Sequence, residues 1–520
     1  MSSHEKELQD IIDTCFLTDS NRDSFLATSM EYINKGINFK LNKQVVNYKD
    51  QETIMRELLE PLPDTGKELT ELIKEFEEKI LNNSVNFSSP NFISFPDCGN
   101  SNAALIGQLM YGLLNQNLIN SVHTSPTATF VEMAVINWFR EIVGYQVYSS
   151  PKNIMEIGGI NVTGGVSANT VGLLLARENK FNNTIKTGLQ HDSRKIKIFV
   201  PKGIGHYSIS AAMGWLGLGK ENAVEVNVTS EFKIDQRDLL TKINDYRNGN
   251  VLLALVAYAG DSRTMSIDDF PALSDIAKEY GMWFHVDACH GLSLCFSDIL
   301  KEKVKGLNLA DSVTIDPHKV LFVPYSSSYV LAKDPEKFNL VAGISDLITK
   351  ESFSFGQITP LFGSRAFNSL KVWFLLKNLG KTVIGKLIDD RHEKAKYFAS
   401  LIDKEPDFHR MHPVEINNVA YLYVPKSLEE KLSGSNSAII NQINELNKQI
   451  HFEIFKEGKY YIHSFKLNDF KNVMNTGTNT TFQVQRVSIG NPLTTPTVLD
   501  EFMNYLKSIC EKVKHEKGLY

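Results

Sequence analysis

The segment Ala310-Asp-Ser-Val-Thr-Ile-Asp-Pro-His-Lys319 is a strand-like apolar run that stops at Asp316-Pro317 and presents His318 and Lys319. In an open parallel sheet, ligands bind at the carboxyl ends of strands, so this lysine is set where a ligand would sit. Taken alone, a lysine after a strand is more often a solvated surface residue. Its neighbours argue otherwise. In Trp283-Phe-His-Val-Asp-Ala-Cys-His-Gly291 an acidic residue ends an apolar strand whose two faces both read as buried. A carboxylate there needs a cationic partner to offset its lost hydration. A protonated pyridine nitrogen is such a partner, and Asp287 would keep that ring charged and electron-withdrawing. The plainer alternative makes Asp287 the cap of the next helix. His285, Asp287 and His290 also have metal-ligand chemistry, but His285 and Asp287 share a strand face while His290 lies past a turn, so no metal is expected.

Two further pieces suit a planar, phosphate-bearing cofactor. Val162-Thr-Gly-Gly-Val-Ser-Ala-Asn169 leads directly into a helical stretch that ends at Arg177. Glycines before a helix N-terminus expose backbone N–H groups to an anion, and the helix dipole adds to the attraction. Gly203-Ile-Gly-His-Tyr-Ser208 follows a strand-like run and offers His206 as a flat side chain able to stack on an aromatic ring. Each piece also has an ordinary reading, a turn for the first and a core or surface histidine for the second.

These residues need a scaffold, and the pattern supplies one. Ile196 to Val200, Val251 to Tyr258, Trp283 to Val286 and Ser312 to Ile315 read as buried strands, and Asp269 to Tyr280 reads as a crossover helix. That is the rhythm of a mainly parallel α/β sheet flanked by helices. Residues 1–99 form a polar helical arm, with a periodic stretch from Lys67 to Leu81. Residues 100–375 hold the large domain, and 376–520 a smaller C-terminal α/β domain with strands at Val419 to Val424 and Gln483 to Ile489. Thr495 can cap a last helix that carries Pro496 at its first position, with Val498, Leu499, Phe502, Met503, Leu506, Ile509 and Val513 on one face.

Composition narrows the function. The net charge is −5, from 55 basic and 60 acidic side chains spread along the whole length, which favours neither nucleic acid nor an anionic membrane. The five cysteines lack the close pairing of a zinc site or redox dithiol and suit a reducing cytoplasm. Met1 to Asp10 is polar and acidic, unlike a secretory leader, and no apolar run approaches membrane-spanning length.

The order Thr163-Gly-Gly, His206-Tyr-Ser, His285-Val-Asp-Ala and Asp316-Pro-His-Lys resembles the group II amino-acid decarboxylases, which depend on pyridoxal 5'-phosphate (PLP) and include glutamate, aromatic-amino-acid and diaminobutyrate decarboxylases. Ser89-Pro-Asn-Phe92, Ser125 to Glu132, Gly363 to Trp373 and Arg486 to Pro492 extend the likeness over roughly residues 85 to 515. The resemblance implies PLP fold type I and a homodimer with active sites at the subunit interface. It makes Lys319 the Schiff-base lysine, Asp287 the pyridine-nitrogen partner and His206 the stacking residue. It places Gly165, Val166, Ser167 and His318 near the phosphate, and Cys289 on the ring face opposite His206. Arg486 would hold a substrate carboxylate, with Ser89 and Phe92 at the substrate.

Four departures bear on this. Ser89 replaces the usual first histidine of its segment. Ala257 to Met265 carries Tyr258 and Asp261 in place of threonines and Met265 in place of glycine. An acid there is unfavourable near a phosphate unless turned away or protonated. Cys289 replaces an alanine. Between Val330 and Arg365 there is no tyrosine, where decarboxylases of this group carry one on a mobile loop, and Gly343 to Gly363 holds Phe353 and Phe355 instead. The implied reaction is decarboxylation of an L-amino acid. An aldehyde synthase, a carbon–carbon lyase and a non-catalytic binding protein are the alternatives.

Overall fold

A computed structural model describes residues 2–343, 352–358, 361, 363–432 and 436–518. Seven strands form the central sheet: β1 (Gly159–Val162), β2 (Ile196–Pro201), β3 (Ala223–Val226), β4 (Val251–Tyr258), β5 (Trp283–Asp287), β6 (Ser312–Ile315) and β7 (Ser328–Ala332), in the order β1-β7-β6-β5-β4-β2-β3. From β3 to β6 every pairing is parallel, and β7 runs antiparallel to both of its neighbours. The strands foreseen from apolar runs are β2, β4, β5 and β6. They are the central ones, covered on both faces, which is why their sequences are continuous rather than alternating. Seven of the eight residues of β4 and all five of β5 are buried.

Helices cover both faces. The Gly165–Phe181 helix packs across β4 to β7, and ten of its residues from Ala168 to Glu178 are buried. The crossover helix is Phe270–Glu279, capped by the Asp269 side chain, with Pro271 in its first turn. Glu132, on the Ala128–Val143 helix, ties distant pieces together. Its carboxylate accepts from the Arg365 guanidinium, from Ser369 Oγ at 3.0 Å and from the Asn161 N–H at 3.2 Å, all in the interior.

The second sheet is antiparallel, in the order β10-β11-β9-β8, built from β8 (Phe408–Arg410), β9 (Asn418–Tyr423), β10 (His463–Asn468) and β11 (Thr481–Ser488). The Ser437–Glu457 and Pro496–Glu516 helices pack with it around a core of its own. Thr495 caps the last helix as its sequence foretold, and Leu499, Phe502, Met503, Leu506, Ile509 and Val513 are buried. The long Ser369–Asp403 helix runs from one core to the other and breaks its helical path at Gly380 (φ 65°), so the 375/376 boundary read from the sequence falls inside it.

The first three helices, Ser3–Cys15, Arg22–Leu41 and Gln51–Leu58, bury no residue. The link between the second and third of them is anchored at Val45 and Val46, whose N–H groups both donate to Gly458 O at 3.0 and 3.2 Å. Gly458 has a left-handed backbone (φ 66°), and a Cβ there would lie 1.9 Å from Val46 O, so glycine is required. In the 67–81 stretch only Ile73 of the expected apolar face is buried, while Leu69 and Ile80 stay exposed.

Candidate active site

The carboxyl ends of β4, β5 and β6 deliver Tyr258, Asp287 and Asp316 to one place. After β6 a single turn, Pro317–Val320, carries Lys319 back over them. Lys319 Nζ lies 2.7 Å from Asp316 Oδ2, with 22% of the lysine side chain exposed and none of the aspartate's. Burial alone would lower the Lys319 ammonium and raise the Asp316 carboxyl. Their attraction reverses both, leaving Lys319 above the ordinary lysine range and Asp316 below the carboxylate range.

Asp287 is 5% exposed, and each of its oxygens accepts from an uncharged amide: Oδ2 from Asn169 Nδ2 at 2.8 Å, Oδ1 from the Cys289 N–H at 3.1 Å. Burial pushes its carboxyl up, but Lys319 and these hydrogen bonds outweigh that and hold it ionised. Tyr258 accepts the His206 N–H at 3.0 Å, and His206 Nδ1 accepts from the Ser208 N–H at 3.2 Å, so the ring carries its proton on Nε2. Burial lowers His206 and keeps it neutral.

A cavity of about 440 Å³ opens over Lys319, with Asp97, His206, Arg263, His290 and Arg486 among its lining. An inner recess lined by Gly165, Asn169, Asp287 and Cys289 shares His206, His290 and Lys319 with it. Arg486, on β11 opposite His463 of β10, reaches the cavity from the second sheet. Its Nη1 donates to Ser262 O at 2.6 Å and its Nη2 to Ser94 O at 3.0 Å, while Nε, although buried, has no hydrogen-bond partner. Its guanidinium sits 5.5 Å from the ring centres of both Phe95 and Phe465.

Residues 52–424 match the family model described as the pyridoxal-dependent decarboxylase conserved domain. The chain belongs to this family. It is a PLP-dependent carboxy-lyase acting on an amino acid. Among its relatives, the aspartate 1-decarboxylase of Aliivibrio fischeri is 29% identical over 85% of this chain and 83% of its own. A phenylacetaldehyde synthase of Petunia hybrida is 25% identical over 77% and 80%. The fold matches that of mouse CSAD in apo form with a TM-score of 0.83 at 22% identity, covering 94% of this chain and 99% of that one. The decarboxylase has the mixed α/β architecture of fold type I.

The residues present fit the cofactor of such a decarboxylase. Gly164, the N-cap of the 17-residue Gly165–Phe181 helix, provides no side-chain cap, which leaves the first-turn amides to an anion. A Cβ on Gly165 would lie 2.9 Å from Asp316 Oδ2 and 3.2 Å from Cys289 Sγ, so only glycine lets the helix end approach these two side chains so closely. Asp287 offers a negative charge with no cation of its own except across the recess.

The structure brings Gly165, His206, Asp287, Cys289, Lys319 and Arg486 of the expected residues around this cavity. Val166 and Ser167 sit in the same helix turn as Gly165, with Ser167 Oγ 3.2 Å from Thr163 Oγ1. His318 turns to the backbone and donates from Nδ1 to Ser327 O at 2.6 Å, its Nε2 3.9 Å from Asp316 Oδ2. Ser89 and Phe92 are not brought to the cavity. Ser89 Oγ donates to Lys43 O at 2.6 Å, and Phe92 stacks on Tyr461 at 5.5 Å, behind Phe95.

The altered 257–265 segment is reorganised around Asp261, which is turned away from the cavity. Its carboxylate accepts from the Arg263, Thr264 and Ser266 N–H groups at 2.7, 2.9 and 2.8 Å. Met265 takes the left-handed backbone (φ 58°) that a glycine would hold at no steric cost. Phe353 packs on Phe130 and Phe355 lies buried beneath Arg365. Residues 344–351, 359, 360 and 362 of the tyrosine-free stretch lie outside the described residues. His285 faces Ser312 and Asn169, and His290 Nδ1 donates to Gly260 O at 3.0 Å. Among the described residues no three His, Cys, Asp or Glu side chains converge as a metal site would require. Asn169, Asp97 and Arg263 have no role in the sequence reading, which weighs His290 only as a metal ligand and Asp316 only as the end of its strand. Asn169 leaves a signal there, one helical turn after Gly165 on the same face.

Proposed function

We propose that the chain decarboxylates an acidic L-amino acid of the aspartate class, with Lys319 holding PLP covalently. The observation that carries the substrate class is Arg486, a buried guanidinium with an unpartnered Nε beside the cavity, joined there by Arg263. Two guanidiniums against the single Asp97 leave a cationic cavity suited to a second carboxylate. The aspartate 1-decarboxylase named above supports the same reading.

When bound, PLP supplies the electron-withdrawing ring that takes up the electrons released as carbon dioxide leaves. The chain does the rest. Asp287 would keep a proton at the ring nitrogen, His206 and Cys289 would flank the ring, and the first turn from Gly165 to Ser167 would hold the phosphate. Arg486 and Arg263 fix the substrate's distal acid, so that its α-carboxylate is the group left to depart. His290 lines the same cavity as Lys319 and is neutral there, since burial pulls this histidine down to about 4.

The apolar groove between the Arg22–Leu41 and Asn102–Leu114 helices, lined by Phe25, Leu26, Met30, Ile106, Leu109 and Leu113, supports a homodimer that covers it. All five cysteines are free, and among the described residues no helix is long and apolar enough to cross a membrane. Both facts suit the cytoplasm.

Borohydride treatment of the PLP-loaded protein should bleach its visible band and leave the cofactor mass on the Lys319 peptide. Label elsewhere overturns the lysine assignment. Aspartate should release carbon dioxide faster than aromatic or aliphatic amino acids, and Arg263→Met should raise its KM about tenfold with the band intact. An unchanged KM removes the acidic-substrate reading. Ammonia and peroxide formed in step with carbon dioxide would instead place the chain, which has no tyrosine between Val330 and Arg365, among the aldehyde-forming relatives.

A further inference from the structure

We infer that Asn169 and His285 are positioning residues, links in a buried relay that fixes the Asp287 carboxylate toward the cofactor ring. The inference rests on the proposed pairing of Asp287 with that ring. The relay begins at Trp283, whose Nε1–H donates to Ser312 Oγ at 2.8 Å. Ser312 Oγ lies 2.7 Å from His285 Nδ1, His285 Nε2 lies 3.0 Å from Asn169 Oδ1, and Asn169 Nδ2 donates to Asp287 Oδ2 at 2.8 Å. Every one of these side chains is buried.

The direction of each link is forced. Asn169 Nδ2 gives its two protons to Asp287 Oδ2 and to Ser208 Oγ, both at 2.8 Å. Turning the amide over would set its oxygen against a carboxylate, so Oδ1 must face His285 and accept a proton from Nε2. A neutral imidazole protonated on Nε2 has its lone pair on Nδ1. The Ser312 hydroxyl, already accepting from an indole that can only donate, is left to donate into that lone pair. Burial drags His285 down to about 4, so the ring is neutral at working pH and the order of donors is kept.

Packing alone does not account for this arrangement. Apolar side chains would fill the space between helix and sheet without the desolvation cost of four polar groups. The helix also makes room for it: a Cβ on Gly172 would lie 2.6 Å from His285 Cε1, and a glycine in a helix interior weakens that helix. What the relay delivers is a carboxylate that cannot rotate, held by uncharged donors that leave its charge for the ring.

The test compares Asn169→Leu, His285→Phe and His285→Gln with Asp287→Asn. PLP affinity is measured on cofactor-stripped protein, the visible band is titrated against pH, and kcat, KM and Tm are recorded. Asn169→Leu and His285→Phe should weaken PLP binding on the order of 10- to 100-fold. They should move the band's titration to lower pH and reduce kcat with little change in KM. His285→Gln keeps an N–H for Asn169 and should recover most of the loss. Wild-type affinity and titration in folded Asn169→Leu and His285→Phe would overturn the relay. Should Asn169→Leu not fold, equal behaviour of His285→Phe and His285→Gln does the same. If Asp287→Asn weakens PLP binding while the relay variants do not, the relay alone falls. If Asp287→Asn also binds normally, the pairing of Asp287 with the cofactor falls with it.

Discussion

Asp316→Asn should destabilise the cofactor-free protein and at the same time quicken its capture of PLP. Lys319 Nζ and Asp316 Oδ2 are 2.7 Å apart, and unit charges at that separation attract by about 6 kcal/mol at an effective dielectric of about 20. The substitution also removes the burial cost of Asp316 itself, so the net loss falls to about 3–5 kcal/mol, the usual effect of stranding one member of a buried pair. The sign of the pH dependence follows from the two shifts. Asp316, held below the carboxylate range, contributes stability that is present above the unfolded value near pH 4 and lost as pH falls through its folded value. Lys319, held above the lysine range, contributes stability that is complete below about pH 10 and lost as pH rises further. The penalty is therefore full between about pH 5 and 9. For a chain of 520 residues, the unfolding entropy is about 1 kcal/mol per degree, so Tm should fall by about 3–5 °C at pH 7 in calorimetry of the stripped protein. The same 3–5 kcal/mol raises the neutral-amine fraction of Lys319 by about two to four powers of ten, and the neutral amine is the nucleophile. Growth of the visible band after mixing with limiting PLP should quicken accordingly. The PLP-loaded variant should lose less stability, because bond formation takes Lys319 out of the ammonium form. An unchanged Tm together with an unchanged capture rate would refute the reasoning.

Glu132→Gln should cost about 3–5 kcal/mol in urea unfolding, since it strands the Arg365 guanidinium, which already carries an unpartnered Nη1, in the interior. A loss under about 1 kcal/mol would mean that the pair is solvated. Asp97→Asn should raise the Tm of the stripped protein at pH 8 and leave it unchanged at pH 4. Burial lifts this carboxyl above its usual range, so its ionised form opposes folding only once pH passes the unfolded value near 4. Equal shifts at both pH values would show that charge is not the cause.

The parts of the site that lie within one strand and the turn after it were legible in the sequence. Asp287 and Lys319 each follow a continuous apolar run, and such a run marks a strand covered on both faces. The outer strands β1 and β3 are interrupted by the polar Asn161 and Glu225, which break the apolar run, and nothing local shows that β7 runs against its neighbours. Asp97, Arg263 and His463 share a cavity although they lie far apart in the chain, and only the docking of the second sheet assembles them. Ser89 illustrates the opposite limit. Its segment resembled a substrate-binding one, but its hydroxyl is consumed by Lys43 O and the Asn91 N–H, contacts that no sequence spacing displays.

Arg486 is fastened at both of its Nη atoms to carbonyls outside its own sheet, Ser262 O and Ser94 O. The side chain offered to the substrate is thus also a rivet between the two halves of the molecule. A lineage that altered its substrate by replacing Arg486 would have to re-tie those halves in the same step. The open route to a new specificity runs through positions whose side chains line the cavity without joining the two sheets, such as Asp97 and Arg263. In a chain built this way the choice of substrate can drift while the anchor that serves it stays fixed, and those two positions are where diversification should first be sought.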